Sequence, residues 1–382
     1  MAINPKNFLT ELINQDITFF TGVPDSLLKE FCFCIDRQMD DNQHIIAANE
    51  GNAIALAAGH HLSTGKIPLV YMQNSGLGNA INPLLSLCDP DVYSIPLVLM
   101  IGWRGEPGVK DEPQHVKQGK IQLELLNVLG IHYEILSEED EDFKLKISNT
   151  INQAQKENRP VALVVKKKTF SKFSQKTIHK NNWNLSREVA LEKVLLKLPK
   201  NAIIVSTTGK TSREIFEIRE RNNQLHHQDF LTVGSMGHCS SIALGIAISN
   251  SKNKVFCIDG DGAMLMHLGA LTSVASLKPN NFYHILLNNE AHESVGGQKT
   301  VACKIDLATI VSSSGYNSIY KAKTIDELDM QIDNCLNDSG PSLLEIKIKL
   351  GSREDLGRPT IPPSKNKTDF MEHIKKINAD EK

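Results

Sequence analysis

The sequence carries almost no net charge: 42 lysines and arginines stand against 44 acidic residues, a formal −2. A chain so balanced lacks the basic footprint of a nucleic-acid or anionic-membrane binder. Its one basic run, Lys166-Lys167-Lys168, follows an apolar stretch and reads as a solvated strand end. No apolar stretch approaches the length of a membrane span. The opening MAINPKNFLTELINQ has no apolar segment behind a basic start, so no signal peptide is expected. Paired cysteines are missing too. The seven, Cys32, Cys34, Cys88, Cys239, Cys257, Cys303 and Cys335, are odd in number and scattered. Cys32-x-Cys34 has no second pair at zinc-finger spacing, and most of the seven lie in apolar segments, where Cys is a small hydrophobe. A reducing cytoplasm is the compartment expected. Nor does a G-x-G-x-x-G follow a first strand with an acid about twenty residues on, which disfavours a nicotinamide-binding protein.

What the chain does have is length and alternation. Its 382 residues, 41% hydrophobic, suit two or three compact domains. Short β-branched runs at 17–20, 45–48, 68–72, 96–101, 133–136 and 161–165 read as strands. Amphipathic stretches at 26–35, 52–62, 79–87, 116–129 and 143–155 read as the helices between them. After a polar stretch without clear period the alternation restarts, with strands at 202–206, 230–233, 254–258, 282–287 and 342–348, and helices at 213–219, 240–249, 264–277 and 325–336. The pattern predicts an α/β chain of two doubly wound, parallel-sheet domains, over 1–167 and 186–382, joined by a linker at 168–185. No repeat is visible at the residue level. Ligands of such sheets sit at the carboxyl ends of the strands, and the informative residues fall there.

The stretch IDGDGAM, 258–264, closes one strand and opens a helix. Glycines at such a turn let backbone N–H groups approach phosphate oxygens. Asp261 beside a diphosphate would repel it unless a divalent cation stood between, and Mg²⁺ suits this mix of oxygens. The next strand closes on Asn288-Asn289, with Asn289 28 positions after Asp261. Adjacent parallel strands would bring both side chains to one sheet edge.

GDG followed at this spacing by NN resembles the cofactor motif of the thiamine diphosphate (ThDP) enzymes. The resemblance implies that Asp261, Asn289 and the carbonyl of Ala291 hold Mg²⁺, with Gly260, Gly262 and Ala263 beside the diphosphate. Gly234-Ser235-Met236-Gly237 is similar to the family segment that wedges an apolar residue under the cofactor, here Met236, with the Gly234 carbonyl facing the 4′-amino group. Thr207-Thr208-Gly209-Lys210-Thr211-Ser212 resembles the family's other diphosphate turn; which threonine makes the contact is left open by Lys210, a possible insertion. Glu50, in AANEGNA at 47–53, matches the glutamate at the pyrimidine N1′; read alone it would only complement a helix N-terminus. The N-terminal domain would thus bind the pyrimidine and the C-terminal domain the diphosphate and metal.

By the same resemblance the chain is an enzyme that decarboxylates a small 2-keto acid, the cofactor acting as electron sink and Glu50 sharing a proton with N1′. Asp25, in TGVPDS at 21–26, is either an acid near the reacting carbon or a cap of the following helix. His115 lies where keto-acid decarboxylases of the family carry catalytic histidines, although the double His of many of them is missing. The family's usual middle domain has no room here. That compact plan, with QNSGLGN at 73–79, GWRG at 102–105, NNEAHESVGGQ at 288–298 and GSREDLGRPT at 351–360, resembles the branch that decarboxylates phosphonopyruvate or sulfopyruvate. A phosphonate calls for cationic forks, and Arg353, Arg358 and Lys210 are the first candidates, with Arg213 and Arg104 behind them. In the family the cofactor lies between two subunits, which implies a homodimer or larger homo-oligomer with sites at the interface. Rival readings are sulfopyruvate decarboxylation, ThDP-dependent carboligation and a non-catalytic subunit of the same fold. The missing middle domain counts against carboligation, and the joint presence of Glu50, Asp261 and Asn289 against a non-catalytic role.

Overall fold

A computed structural model describes residues 1–174 and 181–380. Contacts divide the chain into two compact units, Met1–Ile178 with Val295–Gln298, and His179–Ser294 with Lys299–Lys382.

The first unit runs α1 (Pro5–Asn14), β1 (Phe20–Gly22), α2 (Lys29–Gln38), β2 (His44–Ile46), α3 (Glu50–Thr64), β3 (Leu69–Gln73), α4 (Leu77–Pro83), β4 (Val98–Gly102), α5 (Pro113–Val128), β5 (His132–Leu136), α6 (Phe143–Glu157) and β6 (Val161–Val165). The six strands form one parallel sheet in the order β2-β1-β3-β4-β6-β5. Strands such as LVYM and VALVV are continuously apolar because both faces of the sheet are covered. Tyr71, Met100, Leu163 and Val165 pack with Phe8, Phe31 and Ile147 on one face. Their neighbours Val70, Met72, Ala162 and Val164 pack with Ala53, Ile54 and Leu126 on the other.

The second unit runs α7 (Arg187–Lys197), β7 (Ile203–Ser206), α8 (Lys210–Arg221), β8 (Asp229–Leu231), α9 (Cys239–Ser249), β9 (Val255–Gly260), α10 (Asp261–Met266), α11 (Ala270–Leu277), β10 (Phe282–Asn288), α12 (Leu307–Ser314), β11 (Ser318–Ala322), α13 (Ile325–Asn337), β12 (Ser342–Lys347) and α14 (Pro363–Asp380). Its sheet is again six-stranded and parallel, ordered β11-β12-β10-β9-β7-β8. Numbered within each unit and read from the matching edge, the two sheets have the same strand order. In each, the chain passes from its first strand outward to one neighbour and then back to the other. This leaves a crevice at the carboxyl ends of β1 and β3, and of β7 and β9.

The structure bears out two doubly wound parallel sheets with flanking helices, and among the described residues there is no middle domain. It also adds elements. Helix α1 starts where Asn4 accepts from Lys6 N–H and Pro5 takes the first helical position, and it buries Phe8, Leu9 and Leu12. Helices α7, α12 and α14 and the edge strand β11 were likewise not expected. The helix expected over 264–277 is broken at His267–Gly269 into α10 and α11. Of the stretch expected as a linker, 168–185, residues 175–180 lie outside the described residues. Before them Phe170 and Phe173 are buried in the first unit's core, and after them Leu185 is buried in the second's. No described helix is long and apolar enough to cross a membrane.

Candidate active site

In the second unit, β9 and β10 are paired in register with Leu287 beside Gly260. That pairing carries Asp261 and Asn289 to one edge of the sheet. Asp261 is buried, and its Oδ2 accepts from the Thr300 hydroxyl at 2.5 Å while the Asn289 N–H also donates to it. Burial is the largest influence on the carboxyl and pushes its pKa up to about 7. A buried carboxylate this reluctant to ionise in the bare protein is one a cation would stabilise.

The two asparagines do different work. Asn288 points into the sheet and donates to Glu345 at 2.7 Å, while its Oδ1 accepts from Glu290 N–H. Asn289 donates through Nδ2 to Glu293 Oε2 at 2.8 Å, which turns its Oδ1 the other way, toward Ala291 N–H at 3.1 Å. Glu290 takes a positive φ of 63°, letting the chain leave the strand sharply. Asn181 Nδ2 donates to the Asn289 carbonyl at 2.9 Å. Glu293 is held from three sides: besides Asn289 it binds Lys210 Nζ at 2.8 Å and Arg187 at 3.1 Å, and Arg187 forks onto Glu214. Lys210 therefore joins the Asn289 turn through Glu293.

The glycine turns expected to line the cofactor converge here. A Cβ on Gly262 would lie 3.2 Å from His292 Nδ1 and 3.5 Å from Met236 Cε, so the GDG turn packs on both. A Cβ on Gly237 would meet His267 at 2.6 Å and the Ala263 carbonyl at 3.0 Å. Ser235 and Gly237 both take positive φ, which aims the Gly234–Met236 segment. Thr208 Oγ1 donates to the Val233 carbonyl at 2.8 Å, fixing the end of β7 to the chain just before Gly234. Gly209 takes a φ of 93° at the head of α8.

The first unit presents its own cluster. Glu50 is buried at the start of α3, where Asn49 caps the helix. Its Oε2 accepts from Asn79 Nδ2 at 2.8 Å, and its Oε1 lies where a Cβ on Gly76 would come within 2.4 Å. Asp25, fully buried, stands at the crevice beside β1. It accepts from Gln73 Nε2 at 2.7 Å and from Leu27 N–H at 2.8 Å, so it holds the turn leading into α2, although the cap position itself is Leu28. Burial pushes its carboxyl above the ordinary range, against the hydrogen bonds and the Arg104 charge. Arg104 forks onto Asp111 and donates to Ser26 Oγ at 3.0 Å. His115, near the same Arg104 and Asp111, is depressed to about 4 by burial, and its buried Nδ1 has no partner. It is a neutral imidazole near neutral pH.

Sequence reasoning therefore reached Glu50, Asp25, Asp261 and Asn289 but not their holders Gln73, Asn79, Glu293 and Thr300, nor His292. Four of these five, Gln73, Asn79, Glu293 and Thr300, bond directly to the carboxyl or amide they orient. All except Thr300 lie inside the strings QNSGLGN and NNEAHESVGGQ, which marked them as a group without saying what each touches. The expected anion-binding Arg353 is exposed and already serves Glu188 at 2.9 Å, Asp355 at 3.0 Å and Glu217. Arg358 is exposed on the same segment.

Comparison with known proteins agrees with this architecture. Residues 6–126 match the N-terminal TPP binding domain of thiamine pyrophosphate enzymes, and residues 207–346 match the C-terminal TPP binding domain. The chain is 32% identical to the phosphonopyruvate decarboxylase of Streptomyces viridochromogenes, over 95% of this chain and 92% of that one. It is also 32% identical to the phosphonopyruvate decarboxylase of Streptomyces hygroscopicus, over 97% and 94%. The sulfopyruvate decarboxylase subunit beta of Methanocaldococcus jannaschii is 33% identical over 49% of this chain and 95% of that subunit. The chain thus belongs to the thiamine pyrophosphate enzymes, among their decarboxylases, and is a carboxy-lyase that takes a small keto acid.

Proposed function

We propose that the chain converts 3-phosphonopyruvate to phosphonoacetaldehyde and CO₂, using thiamine diphosphate and Mg²⁺. The observation that carries the metal is the buried Asp261 carboxyl, which the register of β9 with β10 brings to the same sheet edge as Asn289, whose N–H donates to it. Asp261 Oδ, Asn289 Oδ1 and the Ala291 carbonyl would supply three hard oxygen donors from two neighbouring strand ends, the first a buried carboxylate with its pKa pushed up to about 7. Such a set fits Mg²⁺ shared with phosphate oxygens. The 32% identity to two relatives of that name, each over more than nine-tenths of both chains, supports the substrate.

When bound, the cofactor supplies an electron sink for the carbon that loses CO₂. The bond between carboxylate and keto carbon breaks, its electron pair stays with the keto carbon, and a proton must reach that carbon. The protein's part is orientation and proton handling. Glu50, fixed by Asn79 and Gly76, holds a proton at the pyrimidine N1′. Met236, seated against Gly262, would be the apolar residue packed against the cofactor. Asp25, whose carboxyl burial pushes above its ordinary range, is the candidate donor to carbon, and neutral His115 a candidate partner in that transfer. Lys210 is the cation tied to the Asn289 turn and the first candidate for the phosphonate. The chain works as a homodimer or larger homo-oligomer, which sedimentation of the active species tests.

Release of aldehyde and CO₂ is to be measured with phosphonopyruvate, sulfopyruvate and pyruvate side by side. A kcat/KM preference for phosphonopyruvate establishes the assignment. A preference for sulfopyruvate, the second reading, which the Methanocaldococcus relative favours, overturns it.

A further inference from the structure

Beneath the Gly260–Asp261 turn, on the face of the second sheet that α9 covers, lies a second group of metal-binding side chains. Cys257 and Asp259 alternate along β9, and His284 stands beside Cys257 in the register of β10. All three are fully buried, with one ligand atom from each within 4.8 Å of the others. His284 Nε2 is 3.6 Å from Asp259 Oδ2. Cys239 Sγ, at the start of α9, is 3.5 Å from Cys257 Sγ. Metal bonds of about 2.0–2.3 Å place neighbouring corners of a tetrahedron about 3.3–3.8 Å apart, and both separations fall there.

A second observation is independent of that spacing. Buried carboxylate and imidazole atoms have hydrogen-bond partners as a rule. Asp259 Oδ2 and His284 Nε2 face each other at 3.6 Å, an ion-pair separation, and neither has a hydrogen-bond partner. The opposite atoms of the same side chains are engaged. Gly260 N–H donates to Asp259 Oδ1 at 2.9 Å, and the Tyr316 hydroxyl lies 3.4 Å from His284 Nδ1. Outer partners of this kind aim ligands inward.

We propose that Cys257, Asp259 and His284 form a buried structural zinc site, with Cys239 as fourth ligand after a small side-chain movement. Thiolate and imidazole select zinc, whereas the all-oxygen edge at Asp261 selects magnesium. Binding forms Zn–S, Zn–N and Zn–O bonds and releases the two thiol protons to solvent, with no change of oxidation state. The ion joins β9, β10 and α9 just below the cofactor edge, two residues before Asp261 and five before Asn289. Because the site is enclosed, the ion enters as the chain folds.

The test is the metal content of the full-length protein, expressed with zinc, dialysed against chelator and analysed by mass spectrometry. About one zinc per chain is expected in the wild type and also in Asp261→Ala, which separates this site from the magnesium edge. Folded Cys257→Ser is expected to retain less than about a tenth of that. Should this variant not fold, the wild type is refolded with Co²⁺, and a thiolate-to-cobalt charge-transfer absorption is the expected signature. Wild type that neither carries zinc nor shows that absorption overturns the proposal. So does zinc that stays with Cys257→Ser.

Discussion

In the first unit the crevice beside β1 holds Asp25, pinned by Gln73 and overlooked by the Arg104–Asp111 pair. In the second the corresponding crevice beside β7 and β9 holds Asp261, backed by Thr300 and the Asn289 turn. The strand order is the same, and in each a buried aspartate follows a strand end. The difference lies in what surrounds it. Asp25 accepts from an amide and a backbone N–H with its neighbouring cation already forked onto Asp111, and burial pushes its carboxyl above the ordinary range. Asp261 accepts from the Thr300 hydroxyl and the Asn289 N–H, and burial pushes its pKa up to about 7. One scaffold, used twice, sets a buried aspartate in each copy, and the function proposed above makes the first an acid and the second a metal ligand.

This contrast can be broken most sharply by removing the two carboxylates. Asp261→Ala is expected to weaken Mg²⁺ and ThDP binding by at least about 100-fold, a loss larger than that of an outer-shell ligand, read by calorimetry on the whole enzyme. Asp25→Asn is expected to lower kcat by about 10²–10⁴, the span of general acid catalysis, with the cofactor dissociation constant unchanged. An equal effect of both variants on cofactor affinity would falsify the division of labour.

Next in size is Arg187→Met. Its guanidinium is buried between Glu214 and Glu293, so its loss leaves uncompensated charge and is expected to cost about 3–5 kcal/mol, read as a fall in thermal midpoint. Gly76→Ala would place a methyl 2.4 Å from Glu50 Oε1. Displacing that carboxylate is expected to reduce kcat about 10–100-fold, as outer-shell changes do. Titration offers a finer cut. A proton on Asp261 competes with Mg²⁺, and its pKa in the bare protein lies at about 7. The Mg²⁺ affinity should therefore level off above that pH and fall below it, by about tenfold per unit. The smallest effect is expected at Arg353, whose exposed donors serve three carboxylates. Arg353→Ala should leave KM for phosphonopyruvate unaltered, whereas a raised KM would restore it as a substrate residue.

Much of this was legible in the sequence because strand ends in a doubly wound sheet are marked by glycine and polar residues after apolar runs. IDGDG and LLNN announced both the turn and its partner, and the spacing between them is one crossover. The motif could not show that Asn288 bonds Glu345 while Asn289 bonds Glu293, since both are asparagines at one strand end. Edge strand β11, only half-buried, offered too weak an apolar pattern to be read, and so did helix α14. The Cys257, Asp259 and His284 group was invisible because its members are spread along the chain, 27 residues from first to last, and become neighbours only through the register of β9 with β10.

The sequence by itself determined the fold class, the cofactor motif and the likeness to the decarboxylases, since periodicity and turn chemistry are local properties of the chain. Tertiary structure alone decided that the two sheets repeat one strand order with no residue-level likeness. It also decided which side chains orient Glu50 and Asn289, and how the two buried aspartates diverge. Burial and hydrogen-bond partners come from residues far apart in sequence, and those, rather than the identity of the residue, set whether a carboxyl carries a proton or a metal.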